Sequence, residues 1–384
     1  MGAEKKNVYL DNAATTRCDP EAARLVTRLL TEEYGNPSSL HAMGFAAEQC
    51  VERARAQVAR LLGCRPEEIL FTSGATEANN LAVIGAARAL RRRGNRIAVS
   101  AVEHASVLEA AHALAHEGFE TSAVSPGPDG KIDPEEAAGA VDEKTAVFSC
   151  MLVNNETGTV NDIAAIAAAV KRKNPRTLVH CDAVQGAGKL PLNLKRLPID
   201  LLSLSGHKLY APKGIGALYL RGGTRVLPLL YGGAQQSGLR PGTENTAYIA
   251  ALGFACERAG QEMEARWQKA ELLNRAFREK ILLVEGACIN SPPDAAPYIV
   301  NVSFPGLRSE TLLHFLEQRG ISVSSGSACK KGARSHVLEA MGLSPARIDS
   351  ALRISFCPDN TLEDVDFAAA CIREGAATLA RARR

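Results

Sequence analysis

The chain has 384 residues, of which 46% are hydrophobic and 23% are charged, and its formal net charge is +3. This balance is typical of a folded soluble protein, and the length allows two or three ordinary domains. The charge is small, and lysines and arginines are spread along the whole chain. Direct binding of nucleic acid is therefore not expected.

Targeting segments and metal motifs are also not expected. No apolar run approaches the ~20 residues that a membrane span needs, and the N-terminal MGAEKKNVYL lacks the apolar core of a secretory signal. The ten cysteines are scattered, without a CxxC pair or a zinc-ligand spacing. We therefore expect a reduced cytoplasmic protein with no membrane segment, no disulfide framework and no metal site.

Strand and helix patterns alternate over the first two thirds of the chain. Short apolar segments predict strands in EEILFTSG, RIAVSAVEH, TAVFSCMLVNNE, TLVHCDAVQ, DLLSLSGHK and GIGALYL. Several lack polar alternation, as strands covered on both faces do. Helices are predicted between them, for example where Ile163, Ile166 and Val170 recur on one face. This order predicts an α/β domain built on a mostly parallel sheet.

A long helical segment follows, from about residue 246 to about residue 284, with predicted interruptions at Gly253 and Gly260. After it, PYIVNVSF and ALRISF predict strands between amphipathic helices. This change in the pattern of predicted strands and helices indicates a change of domain near residue 257. The predicted bounds are a large domain of residues 15–256 and a small α+β domain of residues 1–14 and 257–384.

The segment SLSGHKLYAPKG places Lys208 just after a predicted strand, beside Ser205 and His207. A lysine amine can form an imine with an aldehyde cofactor, and hydroxyl and imidazole donors can hold the phosphate of such a cofactor. Taken alone, this pattern more often marks a surface lysine that follows a strand.

HCDAVQ ends another predicted strand with Asp182. A carboxylate at the carboxyl edge of a parallel sheet lies where α/β proteins bind ligands, and opposite a pyridine nitrogen it would keep the ring protonated. The alternative is an aspartate that caps the next helix. Gln185, three residues later, either reaches a ring oxygen or lies at the surface.

Two further segments fit a cofactor with a phosphate. FTSGATEANN predicts a strand, a glycine turn and a helix start, whose backbone N–H groups suit phosphate, although an ordinary capped helix fits equally well. In AVEHAS, His104 follows a strand, and an imidazole there can stack on a cofactor ring and move protons near neutral pH. The alternative is a histidine with its hydrogen bonds satisfied inside the core.

These motifs, with YLDNAATT, YGNPSSLH, VNNETG, LRPGTEN and SSGSAC, resemble the cysteine desulfurases in type and order. That family uses pyridoxal 5'-phosphate (PLP) and belongs to the class V aminotransferase branch of the aspartate-aminotransferase superfamily. The resemblance extends from about residue 8 to about residue 370. It implies the fold type I PLP-dependent transferase fold, PLP as cofactor, L-cysteine as substrate and a homodimer.

The resemblance also implies roles for single residues. Lys208 would carry PLP as a Schiff base, Asp182 would face the pyridinium, and His104 would stack on the ring as an acid–base group. Arg353, in ALRISF, would bind the substrate carboxylate through its guanidinium, the alternative being a surface ion pair. The remaining cofactor contacts it implies are Ala75, Thr76, Asn155 (also a substrate contact), Gln185, Ser205, His207 and, reaching the pocket of the other subunit, Thr243.

The candidate nucleophile lies in ISVSSGSACKKGARSHVL, where the Gly- and Ser-rich run predicts a loop. The resemblance makes Cys329 the thiolate that takes the sulfur as a persulfide, and the nearby Lys330, Lys331 and Arg334 would favour that thiolate. The alternative is a small buried thiol. The segment after Cys329 looks shorter than in many members of the family, which bears on the identity of the sulfur acceptor.

The sequence therefore predicts a cysteine desulfurase that converts L-cysteine to L-alanine and passes sulfur from Cys329 to an acceptor or scaffold protein. Iron–sulfur cluster assembly and thiolated tRNA or cofactor synthesis are the expected uses. The alternatives are a selenocysteine lyase or a related PLP lyase, a true aminotransferase, and a non-catalytic partner in a sulfur pathway.

Overall fold

The computed structural model describes residues 7–325 and 334–379. Its strands are β1 (Val8–Tyr9), β2 (Ile69–Thr72), β3 (Arg96–Ser100), β4 (Glu120–Val124), β5 (Thr145–Ser149), β6 (Leu178–Asp182), β7 (Leu201–Ser205), β8 (Gly216–Leu220), β9 (Cys288–Ile289), β10 (Ile299–Ser303), β11 (Ile321–Ser322), β12 (Ser324–Ser325) and β13 (Ala351–Ser355).

The helices are α1 (Pro20–Thr31), α2 (Ala42–Leu62), α3 (Ala75–Asn80), α4 (Ala86–Leu90), α5 (Ala105–His116), α6 (Pro134–Gly139), α7 (Ile163–Lys173), α8 (Thr246–Ile281), α9 (Ser309–Gln318), α10 (His336–Ala340), α11 (Pro345–Ile348) and α12 (Leu362–Thr378). A π-helical turn, Leu81–Gly85, joins α3 to α4. Within residues 7–325 and 334–379, no helix is long and apolar enough to cross a membrane.

The large sheet has seven strands in the order β2-β8-β7-β6-β5-β3-β4. The strands from β7 to β4 are mutually parallel, whereas β8 is antiparallel to both of its neighbours. The predicted mostly parallel sheet is confirmed. Strand β4, at one edge of the sheet, had no clear sequence signal because its sequence ETSAV is mostly exposed and polar.

Helices cover this sheet and form its hydrophobic core. Helix α7 turns Ile163, Ile166 and Val170 into that core, as their spacing predicts. The strands β5, β6 and β7 are buried over nearly their whole length, which explains their lack of polar alternation. Because parallel strands end at the same edge of the sheet, the loops after them converge there.

Helix α8 runs without a break from Thr246 to Ile281, so the predicted interruptions at Gly253 and Gly260 are wrong. A glycine costs only about 1 kcal/mol in a helix interior, less than the packing of such a helix supplies. At Gly253 the residue has a packing role, because a Cβ atom there would lie 2.6 Å from the Cα of Ala54 on α2. Close contact between α2 and α8 requires glycine at this position.

A second, smaller core lies beside the antiparallel sheet β12-β13-β10-β9 and the helices α9 and α12. The N-terminal strand β1 joins it by pairing in parallel with β11, and Val8 and Leu10 are buried there. Helix α8 serves both cores, with Ala270 in the larger and Leu273 in the smaller. The domain bounds proposed from the sequence, with a change near residue 257, stay a prediction.

Candidate active site

A cavity of about 600 Å³ opens at the carboxyl edge of the large sheet, where the segments after β2, β3, β5, β6 and β7 meet. It brings together most of the residues singled out in the sequence, namely Ala75, Thr76, His104, Asn155, Asp182, Gln185, Ser205, His207, Lys208 and Arg353. Two do not appear there. Thr243 is not among the lining residues, and Cys329 lies outside the described residues.

Lys208 lies on a short 3₁₀ turn, Gly206–Lys208, that follows directly from β7. Its Nζ donates hydrogen bonds to the carbonyl oxygens of Ala13 at 2.5 Å and Ala14 at 2.6 Å. The amine is therefore fixed inside the cavity by the segment after β1. This position differs from that of a surface lysine, because two backbone carbonyl groups orient the amine.

Asp182 is buried at the end of β6. Its Oδ2 accepts a 2.8 Å hydrogen bond from the side chain of Asn79, and its Oδ1 accepts one of 2.9 Å from the backbone N–H of Val184. Burial raises the pKa of Asp182, whereas these hydrogen bonds and the nearby His104 and Lys208 oppose the rise. A turn follows Asp182 rather than a helix, so this carboxylate caps no helix.

His104 is the N-cap of α5, and its Nδ1 accepts a 3.1 Å hydrogen bond from the backbone N–H of Ser106. The Ser106 hydroxyl also lies 2.8 Å from Nδ1. Burial lowers the pKa of His104, so the imidazole is neutral near pH 7. A neutral imidazole bordering the cavity is suited to accept and return a proton.

Asn79 is a site residue that sequence reasoning missed. Its Nδ2 donates to Asp182 and to Ser106, both at 2.8 Å, and so links the aspartate to the segment of His104. A signal was present in FTSGATEANN, since Asn79 follows Ala75 by four residues and therefore lies on the same helix face. Only the fold places that face beside β6.

The donors expected for a phosphate line the cavity. Gly74 precedes α3, and Ala75 and Thr76 form its first turn, where backbone N–H groups have no acceptor within the helix. His207 lies 3.2 Å from the hydroxyl of Thr15, measured from Nδ1. Burial, together with the charge of Lys208, lowers the pKa of His207 to about 4, so this imidazole is neutral.

Arg353 lies on β13 and is only 5% exposed. The surface ion pair, which was the alternative from the sequence, is therefore not its role. Its Nη2 donates to Oδ1 of Asp11 at 2.8 Å, and its Nη1 donates to the carbonyl of Asn155 at 3.0 Å. Its Nε has no partner among the described residues. A buried guanidinium with a free N–H beside a cavity suits an anionic substrate group.

Gln185 is buried and does not lie at the surface. Its Nε2 donates a 2.8 Å hydrogen bond to the carbonyl of Ala13, the same oxygen that Lys208 contacts. The Ala13 carbonyl therefore fixes the side chains of Gln185 and Lys208 relative to each other.

Thr243 is exposed, in the loop before α8. Its neighbour Arg240 pairs with Glu77 at 3.0 Å, and Glu77 lines the cavity. The loop therefore starts at the rim of the cavity, and Thr243 itself is not among the residues that line the cavity.

Comparison with known proteins decides the family. The chain matches the family Aminotransferase class-V over residues 8–367. It is 41% identical to the cysteine desulfurase IscS of Azotobacter vinelandii over 98% of this chain and 94% of that protein, and 38% identical to IscS of Dictyoglomus turgidum over 94% and 93%. This chain belongs to the cysteine desulfurase family.

Solved structures agree with this assignment to the cysteine desulfurase family. A structure described as a NifS-like protein superimposes with a TM-score of 0.93 at 39% identity, covering 97% of this chain and all of that one. A structure described as SspA in complex with cysteine gives a TM-score of 0.81 at 33% identity, over 92% of this chain and all of that one. The predicted PLP-dependent transferase fold is confirmed, and cysteine desulfurases use PLP.

The cavity fits PLP in the chemistry of its groups. It offers an amine for the aldehyde, a buried carboxylate for the ring nitrogen, and helix N–H, hydroxyl and imidazole groups for the phosphate. Among residues 7–325 and 334–379, no group of three His, Cys, Asp or Glu side chains is arranged to hold a metal ion.

Proposed function

We propose that this cysteine desulfurase cavity removes the sulfur of L-cysteine, leaving L-alanine, and that Cys329 receives the sulfur as a persulfide. The atoms balance, because the enzyme thiol and L-cysteine together give the persulfide and L-alanine. The observation that carries the proposal is the meeting of Lys208, Asp182 and Arg353 in one cavity of a chain with this family membership.

The proposed roles follow from the position of each group. Bound PLP supplies a sink for the electrons released at the substrate Cα. Lys208 holds the cofactor and moves the proton of that carbon, with His104 as the second proton carrier. Asp182 keeps a proton on the ring nitrogen by its charge, and Arg353 binds the substrate carboxylate, using the Nε–H that has no partner among the described residues.

The phosphate is proposed to bind the N–H groups of Ala75 and Thr76, the hydroxyl of Ser205 and the ring of His207. Asn155 and Gln185 are proposed to contact the ring oxygen. Thr243 would complete the phosphate site of the other subunit in a homodimer, which accounts for its exposure in the single chain.

A mixing experiment tests the homodimer. Lys208→Ala and Thr243→Ala protomers each give defective sites when assembled alone. If Thr243 serves the opposite pocket, a mixed dimer has one site with both defects and one intact site, so mixing should restore turnover in part. If each Thr243 serves its own pocket, no intact site forms and mixing restores nothing.

Delivery of the sulfur is proposed to go from Cys329 to an acceptor or scaffold protein in the cytoplasm, without direct binding of nucleic acid or membrane. Lys330 and Lys331 beside Cys329 support this, since positive charge stabilises a thiolate and attracts an acidic protein. Raising the salt concentration should therefore weaken acceptor-stimulated turnover more than basal turnover.

The function is tested by turnover of L-cysteine with and without a thiol reductant, with alanine and sulfide measured together. Equal amounts of both are expected in the presence of reductant, and Lys208→Ala should form neither. Parallel assays with L-selenocysteine and cysteine sulfinate identify a related lyase by faster release of selenide or sulfite. A requirement for a keto acid would instead show an aminotransferase.

A further inference from the structure

The carboxylate of Asp11 pairs with the guanidinium of Arg353 inside the protein. Nη2 of Arg353 donates to Oδ1 of Asp11 at 2.8 Å, and the two side chains are only 6% and 21% exposed. The backbone carbonyl of Asn155 accepts a second hydrogen bond, from Nη1, at 3.0 Å. A guanidinium has five N–H groups, so these two contacts fix its plane and leave donors for a further anion.

The two partners differ in their position relative to the active-site cavity. Arg353 lines the cavity, whereas Asp11 is not among its lining residues. Glu156 is a second carboxylate within electrostatic reach of Arg353, but its carboxyl group accepts a hydrogen bond from the Ser335 hydroxyl. Asp11 therefore acts on a ligand in the cavity through Arg353 and not by direct contact.

The backbone around Asp11 is attached to the end of β13. Asp11 forms an isolated parallel bridge with Ser355, whose N–H donates to the carbonyl of Leu10 at 2.8 Å. The Ser355 hydroxyl accepts a hydrogen bond of 2.8 Å from the N–H of Ala13. Because Arg353 precedes Ser355 by two residues on the same strand, these contacts hold the Asp11 carboxylate beside the guanidinium.

The same short segment also positions Lys208. The carbonyl oxygens of Ala13 and Ala14 accept the hydrogen bonds of the lysine amine. The N–H of Ala14 donates to the carbonyl of Asp11 at 3.0 Å, which closes a turn between the two contacts. Residues 11–14 therefore hold, in one local frame, the guanidinium proposed to bind the substrate carboxylate and the amine proposed to react beside it.

We propose that Asp11 is a positioning residue for the substrate carboxylate, acting through Arg353. Its Oδ1 accepts the hydrogen bond from Nη2 and so keeps the guanidinium aligned with the cavity. Without that acceptor the guanidinium can rotate about its side-chain bonds and lose its alignment with an incoming carboxylate. The ligands affected are α-amino acids with a free carboxylate. The inference rests on the proposed role of Arg353 toward the substrate.

Binding of two ligands without sulfur to the holoenzyme tests the inference. L-Alanine has a free carboxylate, whereas L-alaninamide has the same side chain and amine but no carboxylate, and the absorption of the bound cofactor reports the binding of either. Wild type should prefer L-alanine. Asp11→Ala should weaken binding of L-alanine by about 10-fold and of L-alaninamide by less than about 2-fold. Equal losses for the two ligands, or no loss for L-alanine, would overturn the inference.

Asp11→Asn separates the accepted hydrogen bond from the charge. The amide oxygen can still accept from Nη2, while the negative charge that competes with the substrate carboxylate is removed. This variant should bind L-alanine at least as tightly as wild type and keep the KM for L-cysteine. Asp11→Ala should raise that KM by about 10-fold with kcat changed by less than about 3-fold. If Asp11→Asn is as defective as Asp11→Ala, the hydrogen bond does not position Arg353 and the inference is wrong.

Control variants keep the outcomes distinct. Asp11→Ser shortens the side chain and should give the same result as Asp11→Ala, which keeps the test open if the alanine variant does not fold. Asp142→Ala removes a carboxylate that pairs with Arg96 at 2.9 Å. That pair lies where β3 and β5 begin, at the edge of the sheet opposite the cavity, so both ligands should bind as in wild type.

Arg353→Gln distinguishes failure of this inference from failure of the proposed function. It should abolish the preference for L-alanine over L-alaninamide. If the preference survives, Arg353 does not bind the carboxylate, and both its proposed role and the inference on Asp11 are wrong. Because these dissociation constants are measured without sulfur transfer, they remain interpretable if the protein does not release sulfur from L-cysteine.

Discussion

The side chain of Asn79 donates a 2.8 Å hydrogen bond to the carboxylate of Asp182. Asn79 belongs to the helix whose first turn borders the proposed phosphate site, and Asp182 ends a central strand of the sheet. One amide therefore fixes the orientation of the carboxylate relative to the helix start. A shift of α3 would move both the proposed phosphate contacts and the group proposed to face the ring.

Replacement of Asp182 by asparagine should leave PLP bound while turnover falls by about 100-fold or more. The shape is kept, but the charge that holds the ring proton is lost, and each unit of lost pKa is about 1.4 kcal/mol. Cofactor absorbance and alanine formation measure the two effects. Asp200→Asn is the matched control, because Asp200 is a buried carboxylate that directly precedes β7 and pairs with Lys171, and this variant should keep turnover per folded protein.

Reduction of the holoenzyme with borohydride should attach the cofactor to Lys208. Lys189 is a competing amine for this reaction. Burial, aided by the charge of Lys208, lowers the pKa of Lys189 to about 7, so its amine is partly unprotonated near neutral pH. Lys213 lines the cavity as well. Peptide mapping by mass spectrometry locates the label, and label on Lys189 or Lys213 would show that the assignment of Lys208 is wrong.

Cys329→Ser should still bind PLP and L-cysteine but release no alanine, because a hydroxyl neither attacks sulfur at neutral pH nor holds a persulfide. Cys288→Ser, at a partly exposed thiol on β9, is the control and should keep the parent rate. Mass mapping after treatment with L-cysteine should find the added sulfur on Cys329. Parent-rate alanine from Cys329→Ser, or the sulfur on another cysteine, contradicts the assignment.

Stability should depend on pH through Glu156, which is buried and accepts a hydrogen bond from the Ser335 hydroxyl. Burial raises the pKa of Glu156 from 4.5 to about 7. The folded state thus holds a proton that the unfolded state releases, so this contribution to stability is lost as the pH rises from about 4.5 through about 7.

Glu156→Gln removes that dependence. Between pH 5 and pH 8 its Tm should rise relative to the Tm of wild type, corresponding to about 3 kcal/mol at most. Glu135→Gln changes an exposed glutamate and should show no such trend. A constant difference in Tm between Glu156→Gln and wild type at all pH values would show that Glu156 does not titrate in this range.

Much of the site could be predicted because its residues follow strands of one parallel sheet. Asp182, His104 and Lys208 each come at or just after a strand, and parallel strands end at one edge. The partners that orient them were not predictable from spacing. Asp11 reaches Arg353 across 342 positions, and Asn79 reaches Asp182 across 103, so neither contact leaves a local pattern.

The sequence by itself determined the fold class, the cofactor and the residues proposed to bind it, because strand periodicity and ordered motifs are local properties of the chain. Only the tertiary structure decided the pKa shifts of Glu156, Lys189 and His207. These side chains are ordinary ionisable groups in the sequence. Packing of distant segments removes water from around them, and the cost of burying charge then sets which of them remain neutral.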